Sequence, residues 1–334
     1  MPLIRGREAV VDLYQRALER RWVVPTFCTE NQTTVEAILA ACQSKAEELK
    51  VAVPITIAIT GQYLHRSQST RYAHSRNAAT GRMLFFGDCE VLSRPGGDYP
   101  DVEVMTHFDH GQIQYDADVL DGNLDGFSSI MFDQSEVPWE ENIAATAEFV
   151  RKYGDQVFIE GASDEVVDAE DVGHNNLTTP ERAAEFLAKT GVDMVVANLG
   201  TEHRASAQDL QYHPEAARAI SDVIGPKLVL HGTSSVPPGQ LDHLFDDGVC
   251  KVNIWTTLER DSAPVLFRDS LEHAAEIIGE KHATDLVEAG LLGPAAPVRG
   301  RPDMDYFATA HRQEIVFDVM RDIIKGYLDR WYRL

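Results

Sequence analysis

VMTHFDHG, residues 104–111, joins the end of an apolar run to a dense group of polar side chains. Its first residues are typical of a buried strand, and His107, Asp109 and His110 follow just before a glycine. Two imidazoles and a carboxylate so close together are uncommon in a solvated loop. They are typical of a metal site or a proton-transfer site. The stretch therefore predicts a buried strand, over 102–110, that ends in chemically active residues.

Segments of the same kind recur along the chain and alternate with amphipathic helical patterns. We predict eight strands, at 23–29, 53–60, 102–110, 126–133, 156–162, 192–200, 227–232 and 249–256. Strands that are apolar almost throughout belong to a parallel sheet that is buried on both faces. Eight strand–helix units with right-handed crossovers close into a (β/α)8 TIM barrel, which is the predicted fold.

The 334 residues exceed the length of a typical barrel, and the excess has three predicted locations. An amphipathic helix precedes the first strand, 61–101 is a long loop or insertion with some helix, and 304–334 is a C-terminal helical extension. Helices are predicted at 33–50 with a threonine cap, at 178–191 with a proline in the first turn and a glycine stop, and at 258–281. No linker divides the chain, so we expect one domain over 1–334.

Composition limits the partners that the chain can have. A formal net charge of -23 repels nucleic acid and anionic membranes, so neither is expected. The longest apolar run, VAVPITIAI, is too short to span a membrane, and the N-terminal segment lacks the apolar core of a signal peptide. Four scattered cysteines without a CxxC pair fit reduced thiols, which predicts a cytoplasmic protein.

Polar residues gather at the carboxyl ends of the predicted strands, where this fold carries its chemistry. They are Asn31, Thr60, Asp109, His110, Asp133, Glu160, His203, His231, Asn253 and Thr256. Histidines from the third, sixth and seventh strands point to one mouth, and three imidazoles leave a position open on Zn2+, as in catalytic sites. His107 shares a strand face with Asp109, so we expect it to orient a neighbour rather than bind the ion.

Six motifs in consistent order resemble the class II, metal-dependent ketose-bisphosphate aldolases. HFDHG resembles the His-x-Asp-His at the end of the third strand in that family, and LVLHGTSSVP resembles its Leu-His-Gly-x-Ser-Gly motif. The remaining four are VPTFCTENQTTVEAI, GFSSIMFDQSEVPWEENIAATAEFV, TTPERAAEFLAKTGVDMVVANLGTEH and KVNIWTTLERD. The resemblance runs from about residue 5 to 325.

The resemblance implies a role for each matching residue. His110, His203 and His231 would bind the metal, and Glu160, the carboxylate that the fifth strand retains, is a further candidate ligand. Asp109 would be the acid that protonates the aldehyde oxygen. The implied substrate-binding residues are Gly232, Ser234 and Thr256 for the phosphate of dihydroxyacetone phosphate, Asn253 for the carbon chain, and Asn31 and Thr60 as lining residues.

The chain departs from the family pattern at several of these positions. Ala162 replaces the second carboxylate of the fifth strand, and Trp255 replaces an aspartate that binds substrate hydroxyls. Arg204 stands where a glycine lets the backbone approach a phosphate or a monovalent cation; the arginine either offers a fork to an anion or points outward. Thr233 and Ser235 replace two glycines of the phosphate motif. An altered substrate is therefore expected.

The predicted function is a zinc-dependent aldolase that cleaves a phosphorylated ketose or an analogue through a metal-stabilised enediolate. Another divalent transition metal could replace zinc at a histidine site. A metal-dependent sugar isomerase or epimerase, or a non-catalytic paralogue, is the alternative. Lys227 and Lys251 fall near strand starts, which argues against a Schiff-base lysine.

Two further expectations concern the acidic loop and the assembly. The segment after the fifth strand resembles the mobile loop that supplies a proton-transferring carboxylate, with Glu165, Asp168, Glu170 and Asp171 as candidates. The family implies a homodimer or homotetramer. The apolar face of the C-terminal helix either serves that pairing or packs on its own barrel.

Overall fold

Eight parallel strands are hydrogen-bonded in chain order, and the first also pairs with the eighth, so the sheet closes on itself. The computed structural model describes residues 3–63, 66–122, 124–165, 177–201 and 212–334. The strands are β1 Val24–Cys28, β2 Val53–Thr60, β3 Val102–Gly111, β4 Ser129–Phe132, β5 Phe158–Ala162, β6 Met194–Val196, β7 Leu228–Leu230 and β8 Val249–Ile254. The predicted (β/α)8 barrel is confirmed.

Helices lie between the strands and at both ends of the described chain. They are α1 Arg7–Glu19, α2 Gln32–Leu49, α3 Gln68–Arg71, α4 Ala78–Ser93, α5 Ile113–Leu120, α6 Trp139–Tyr153, α7 Pro180–Thr190, α8 Pro214–Ile224, α9 Thr256–Glu272, α10 Ala274–Ile278, α11 Glu280–Glu288, α12 Met304–Phe307 and α13 Thr309–Trp331. None of the described helices is both long enough and apolar enough to cross a bilayer.

Local chemistry sets several of these boundaries. Helix α7 begins at Pro180 with the Thr179 hydroxyl accepting from the Arg182 N–H, and Gly191 ends it with φ 72°, as its sequence predicted. The predicted threonine cap of α2 is wrong: the Asn31 amide oxygen accepts from the Thr34 N–H. The segment 61–101 contains α3 and the 16-residue helix α4.

The C-terminal part of the chain differs from its prediction. The helix expected over 258–281 ends at Glu272, and two short helices follow it. Helix α13 packs on its own barrel over its last turns, where Ile324, Leu328 and Trp331 are buried. The Trp331 indole N–H donates to the Leu241 carbonyl oxygen at 2.8 Å. For these turns the structure therefore shows packing on the barrel.

The strands are buried on both faces, yet the barrel interior is strongly polar. Phe108 points outward and packs against Phe127 with ring centroids 5.1 Å apart. The next interior position, Asp109, contacts Asn253 of β8, and Glu160 of β5 contacts Lys251 of β8. Because these strands are not neighbours, both contacts cross the interior. The barrel thus encloses a polar network directly beneath its carboxyl-end mouth.

Candidate active site

A bulge in β3 brings two consecutive residues to the same mouth. Alternation along a strand sends neighbouring side chains to opposite faces, so Asp109 and His110 would normally diverge. The pairing of β3 with β4 shifts register between Phe108 and Gly111, and His110 has φ 51°. A non-glycine residue in this left-handed region costs about 1–3 kcal/mol and is typical of functional sites. Asp109 and His110 consequently both line the cleft at the barrel mouth.

Asp109, His110 and His231 form a group that can hold a metal ion. Each offers a donor atom within 4.8 Å of the others, and all three side chains are buried. The His110 and His231 rings are nearly perpendicular, with centroids 5.1 Å apart. The site thus brings together two of the three predicted histidine ligands, while His203 lies outside the described residues, as does Arg204.

A carboxylate fixes the orientation of the His110 ring. His110 Nδ1 lies 2.7 Å from Asp133 Oδ2, and Asp133 Oδ1 accepts from the Ser135 hydroxyl at 2.7 Å. A histidine whose Nδ1 is held in this way presents Nε2 to a metal, and such carboxylate–histidine pairs accompany metal sites. The residues therefore fit a divalent transition metal. Sequence reasoning noted Asp133 as a strand end but gave it no role.

The charges of the group depend on one another. Burial alone would raise the pKa of Asp109, but His110, His231 and Arg66 together hold that pKa well below its usual range. Burial lowers the pKa of His110, and the carboxylates of Asp109 and Asp133 more than offset this effect. Asp109 is therefore ionised in the resting site and can accept a proton.

Asp109 is held from two sides. Its Oδ1 accepts from the Asn253 amide at 3.0 Å, and its Oδ2 accepts from Arg66 Nη2 at 2.9 Å. The Cys28 thiol lies 3.3 Å from the same Oδ2. These contacts orient the carboxylate toward the cleft that it shares with His110. Asn253 is thus a neighbour of the catalytic candidate as well as a lining residue.

Lys251 lies near the start of β8, as predicted, but its side chain points into the barrel interior. Its ammonium donates to Glu160 Oε2 at 3.0 Å and to Asn253 Oδ1 at 2.7 Å. The sequence located Lys251 along its strand but did not reveal the direction of its long side chain. Glu160 engages this ammonium and is not part of the metal-binding group found among the described residues. Its predicted role as a ligand gains no support from this placement.

His107 also faces the interior below the metal-binding group. Its Nδ1 lies 2.7 Å from the Ser129 hydroxyl, and its Nε2 lies 3.9 Å from both Asp109 Oδ1 and Glu160 Oε2. Burial and the nearby Lys251 ammonium lower the pKa of this imidazole well below its ordinary value. A neutral His107 adds no charge to the network, and its orienting role stays a prediction.

Replacing Lys251 with methionine is expected to destabilise the fold by about 3–5 kcal/mol, since it leaves the Glu160 carboxylate buried without its cation. Both side chains are fully buried in this pair. Lys281→Met is the matched control, because Lys281 pairs with Asp285 on the exposed surface of α11, and such pairs contribute about 0–1 kcal/mol. Urea denaturation of the two variants measures the difference. Equal unfolding midpoints would show that the buried pair has no structural role.

Four of the predicted substrate-binding residues line the cleft: Gly232, Ser234, Asn253 and Thr256. Gly232 has φ 66°, a conformation that glycine adopts without strain, and a 3-10 turn over Thr233–Ser235 follows it. Thr256 is the first residue of α9. The turn and the start of the helix thus border one side of the same cleft.

Asn31 and Thr60 have structural contacts instead of places on the cleft lining. Asn31 is exposed and caps α2, as described above. Thr60 is buried, where its hydroxyl accepts from the Gln68 N–H at 3.0 Å and bonds the Arg66 carbonyl oxygen. Thr60 therefore anchors the segment after β2. The contact of Asn31 and Thr60 with substrate stays a prediction, and neither residue is on the cleft lining.

The cleft also contains residues that sequence reasoning missed. Tyr63 stacks on the His110 ring with centroids 4.7 Å apart and planes at 7°. Arg66 contacts Asp109, and its guanidinium carbon lies 4.7 Å from the centre of the Trp255 ring. Both follow β2 in the segment that was predicted as a loop, where no pattern marked either one. Trp255, which replaces the family's aspartate, also lies on the cleft lining.

Comparisons with known proteins agree with this geometry. The family model described as fructose-bisphosphate aldolase class-II matches residues 8–289. The D-tagatose-1,6-bisphosphate aldolase subunit GatY of Klebsiella oxytoca is 30% identical over 265 residues, which are 76% of this chain and 81% of that protein. A fructose-bisphosphate aldolase of Treponema pallidum is 27% identical over 256 residues, which are 68% of either chain.

Solved structures support the same fold. The fructose-bisphosphate aldolase of Campylobacter jejuni superposes with a TM-score of 0.75 at 18% identity, covering 99% of this chain and 95% of that one. The YdjI aldolase of Escherichia coli superposes with a TM-score of 0.62 at 20% identity, covering 97% and 96%. Barrel, mouth and matches together define an aldolase, a carbon–carbon lyase of the metal-dependent class. The chain belongs to the class II fructose-bisphosphate aldolase family.

Proposed function

We propose that this aldolase uses zinc and cleaves a phosphorylated ketose, reversibly, to dihydroxyacetone phosphate and an aldehyde. The observation that carries the proposal is the buried Asp109–His110–His231 group, with Asp133 behind His110. His110, His231 and the predicted ligand His203 would hold the ion. When bound there, zinc supplies Lewis-acid polarisation of the ketone oxygen.

Asp109 would transfer the proton at the bond that breaks. In cleavage, its carboxylate takes the proton of the hydroxyl on C4 while the C3–C4 bond breaks and its electron pair stays on the donor half. In synthesis, the protonated Asp109 returns that proton to the aldehyde oxygen. Asn253 and Arg66 hold the carboxylate in place for both directions. Proton transfer of this kind contributes about 100- to 10,000-fold in rate.

The donor half requires a phosphate site and a second proton carrier. We assign the phosphate to Gly232, Ser234 and Thr256, because these residues line one side of the cleft at a 3-10 turn and at the start of α9, and helix starts favour anions. The proton of the donor carbon would come from the loop after β5. Glu165 is a candidate within the described residues, and Asp168, Glu170 and Asp171 lie outside them.

Release of dihydroxyacetone phosphate tests the proposal directly. The protein is loaded with zinc and offered a panel of ketose 1-phosphates and 1,6-bisphosphates, and the product is reduced by an NADH-dependent dehydrogenase. We expect cleavage of at least one substrate, loss of it with a chelator, and recovery with zinc. A sugar isomerase or epimerase would consume the substrate without releasing an aldehyde or a ketone fragment.

We also propose that the chain forms a homodimer or homotetramer. Large apolar side chains are exposed on α9 and the segments after it, where Phe267 is 66% exposed and Leu291 74%. Such side chains mark interaction surfaces when they cluster. Light scattering after size exclusion measures the mass, and a strictly monomeric protein at micromolar concentration would contradict the assignment.

A cytoplasmic location is proposed from the state of the cysteines. Cys28, Cys42, Cys89 and Cys250 are all free thiols, and all are buried. Free thiols persist in reducing compartments. Fractionation of the native cells, with detection of the protein by antibody, tests the location.

A further inference from the structure

Arg66 occupies a fixed position in the cleft. It comes from the segment after β2, and its side chain is only 13% exposed. The guanidinium lies over the Trp255 indole, whose N–H donates to Glu30 Oε1 at 2.8 Å. Gln68 donates to the same oxygen at 2.8 Å. Glu30, which Gln68 fixes, therefore holds the indole on which Arg66 rests.

Arg66 has hydrogen-bonding capacity beyond its contact with Asp109. Nη2 donates to Asp109, whereas Nε is buried and has no hydrogen-bond partner among the described residues. A buried donor of this kind is costly to leave unused, and a ligand often supplies the acceptor. Among the described residues that line the cleft, Arg66 is the only lysine or arginine. Its planar fork matches a carboxylate or a phosphate.

The position of Arg66 relates it to the aldehyde half of the substrate. The phosphate of the donor half is assigned to the turn after β7, whereas Arg66 enters from the segment after β2. Arg66 contacts Asp109, the residue that exchanges a proton with the aldehyde oxygen. At position 255 the chain has an indole, which orients the guanidinium by stacking and adds no negative charge to its ion pair with Asp109. A carboxylate at that position would compete for the arginine.

Building on the proposed function, we propose that Arg66 is a specificity-determining residue that binds an anionic group, a carboxylate or a phosphate, on the aldehyde half of the substrate. Trp255 holds the guanidinium flat, and the exposed part of the guanidinium would meet the incoming anion. A charge-assisted hydrogen bond of this kind is worth about 1.5–3 kcal/mol, which corresponds to about 10- to 100-fold in kcat/KM.

Three aldehydes that differ at a single carbon test the assignment in the synthetic direction with dihydroxyacetone phosphate. Glyceraldehyde ends in a neutral hydroxymethyl group, tartronate semialdehyde in a carboxylate, and glyceraldehyde 3-phosphate in a phosphate. The wild-type zinc enzyme is expected to prefer at least one anionic aldehyde over glyceraldehyde by about tenfold or more in kcat/KM. The two anionic arms identify which group the site accepts.

Variants then connect the preference to this residue. Arg66→Gln is expected to reduce the anionic-to-neutral ratio to less than about threefold, because the amide keeps a donor but has no charge. Arg66→Lys keeps the charge without the fork and should retain an intermediate ratio. Arg71→Gln is the matched control: it removes an exposed arginine from α3 and should leave the ratio unchanged.

The outcomes separate this inference from the proposed function. The assignment of Arg66 is overturned if the wild-type enzyme shows no preference for anionic aldehydes, or if the Arg66→Gln variant keeps that preference. The wild-type ratio is informative even when a variant does not fold. Exchange of a dihydroxyacetone phosphate hydrogen with deuterium from solvent, followed by NMR, needs no aldehyde. Absence of that exchange in the zinc-loaded wild type would refute the proposed function itself.

Discussion

Replacing His110 with alanine is expected to remove bound zinc and to reduce kcat/KM for cleavage by at least about a thousandfold. Lewis-acid polarisation is worth several kcal/mol, and each 1.36 kcal/mol is about tenfold in rate. His110 is the residue that the β3 bulge turns into the cleft and that Asp133 holds at 2.7 Å. Zinc per chain by mass spectrometry and the coupled cleavage assay measure the two effects together.

Two further substitutions show whether the effect is specific to the metal site. Asp133→Asn weakens only the support of the ring, so a loss of about 10- to 100-fold in zinc affinity or activity is expected. His282→Ala is the matched control, because His282 is exposed on α11 and should leave both measurements unchanged. A His110→Ala protein with wild-type zinc content and activity would remove the basis for the site.

Asp109→Asn is expected to abolish most cleavage while zinc stays bound. The amide has the size of the carboxylate but cannot carry the proton, so kcat for cleavage should fall by about 100- to 10,000-fold. Exchange of the dihydroxyacetone phosphate hydrogen should survive, since that step belongs to the donor half. Asp98→Asn, at an exposed position, provides the control.

The same variant decides between two roles for Asp109. Asp109 lies within 4.8 Å of the two histidine donors, so its geometry alone also permits it to bind the metal. A ligand replaced by an amide would lose zinc, and exchange and cleavage would then fail together. Retained zinc with exchange but without cleavage supports the proton-transfer role.

The barrel could be predicted because its determinants are local and repeated. Strands such as VPITIAIT are buried at every position, and only a parallel sheet covered on both faces accommodates such runs. The cap and stop of α7 follow from Thr179, Pro180 and Gly191 alone. The strand ends at Asp109 and His231 follow from the same pattern, so the core of the site was visible in the sequence.

Other features depend on contacts that no local pattern records. The left-handed conformation of His110 arises from a register shift against β4, and strand periodicity gives no sign of it. Lys251 points inward because Glu160, 91 residues earlier in the chain, lies across the barrel. Arg66 enters the cleft because Thr60 and Gln68 fold the segment after β2 back on the strand. Each of these three features is set by contacts with residues elsewhere in the chain, which the pattern of a single strand does not reveal.

The most direct measurement of the central claim is a crystal structure of the zinc-soaked protein with anomalous diffraction collected at the zinc absorption edge. The account predicts one strong anomalous peak at the barrel mouth, with His110 and His231 nitrogens at about 2.0–2.1 Å from it. His203 is expected to complete the three-histidine set. A peak elsewhere, or none with the two rings pointing apart, would contradict it.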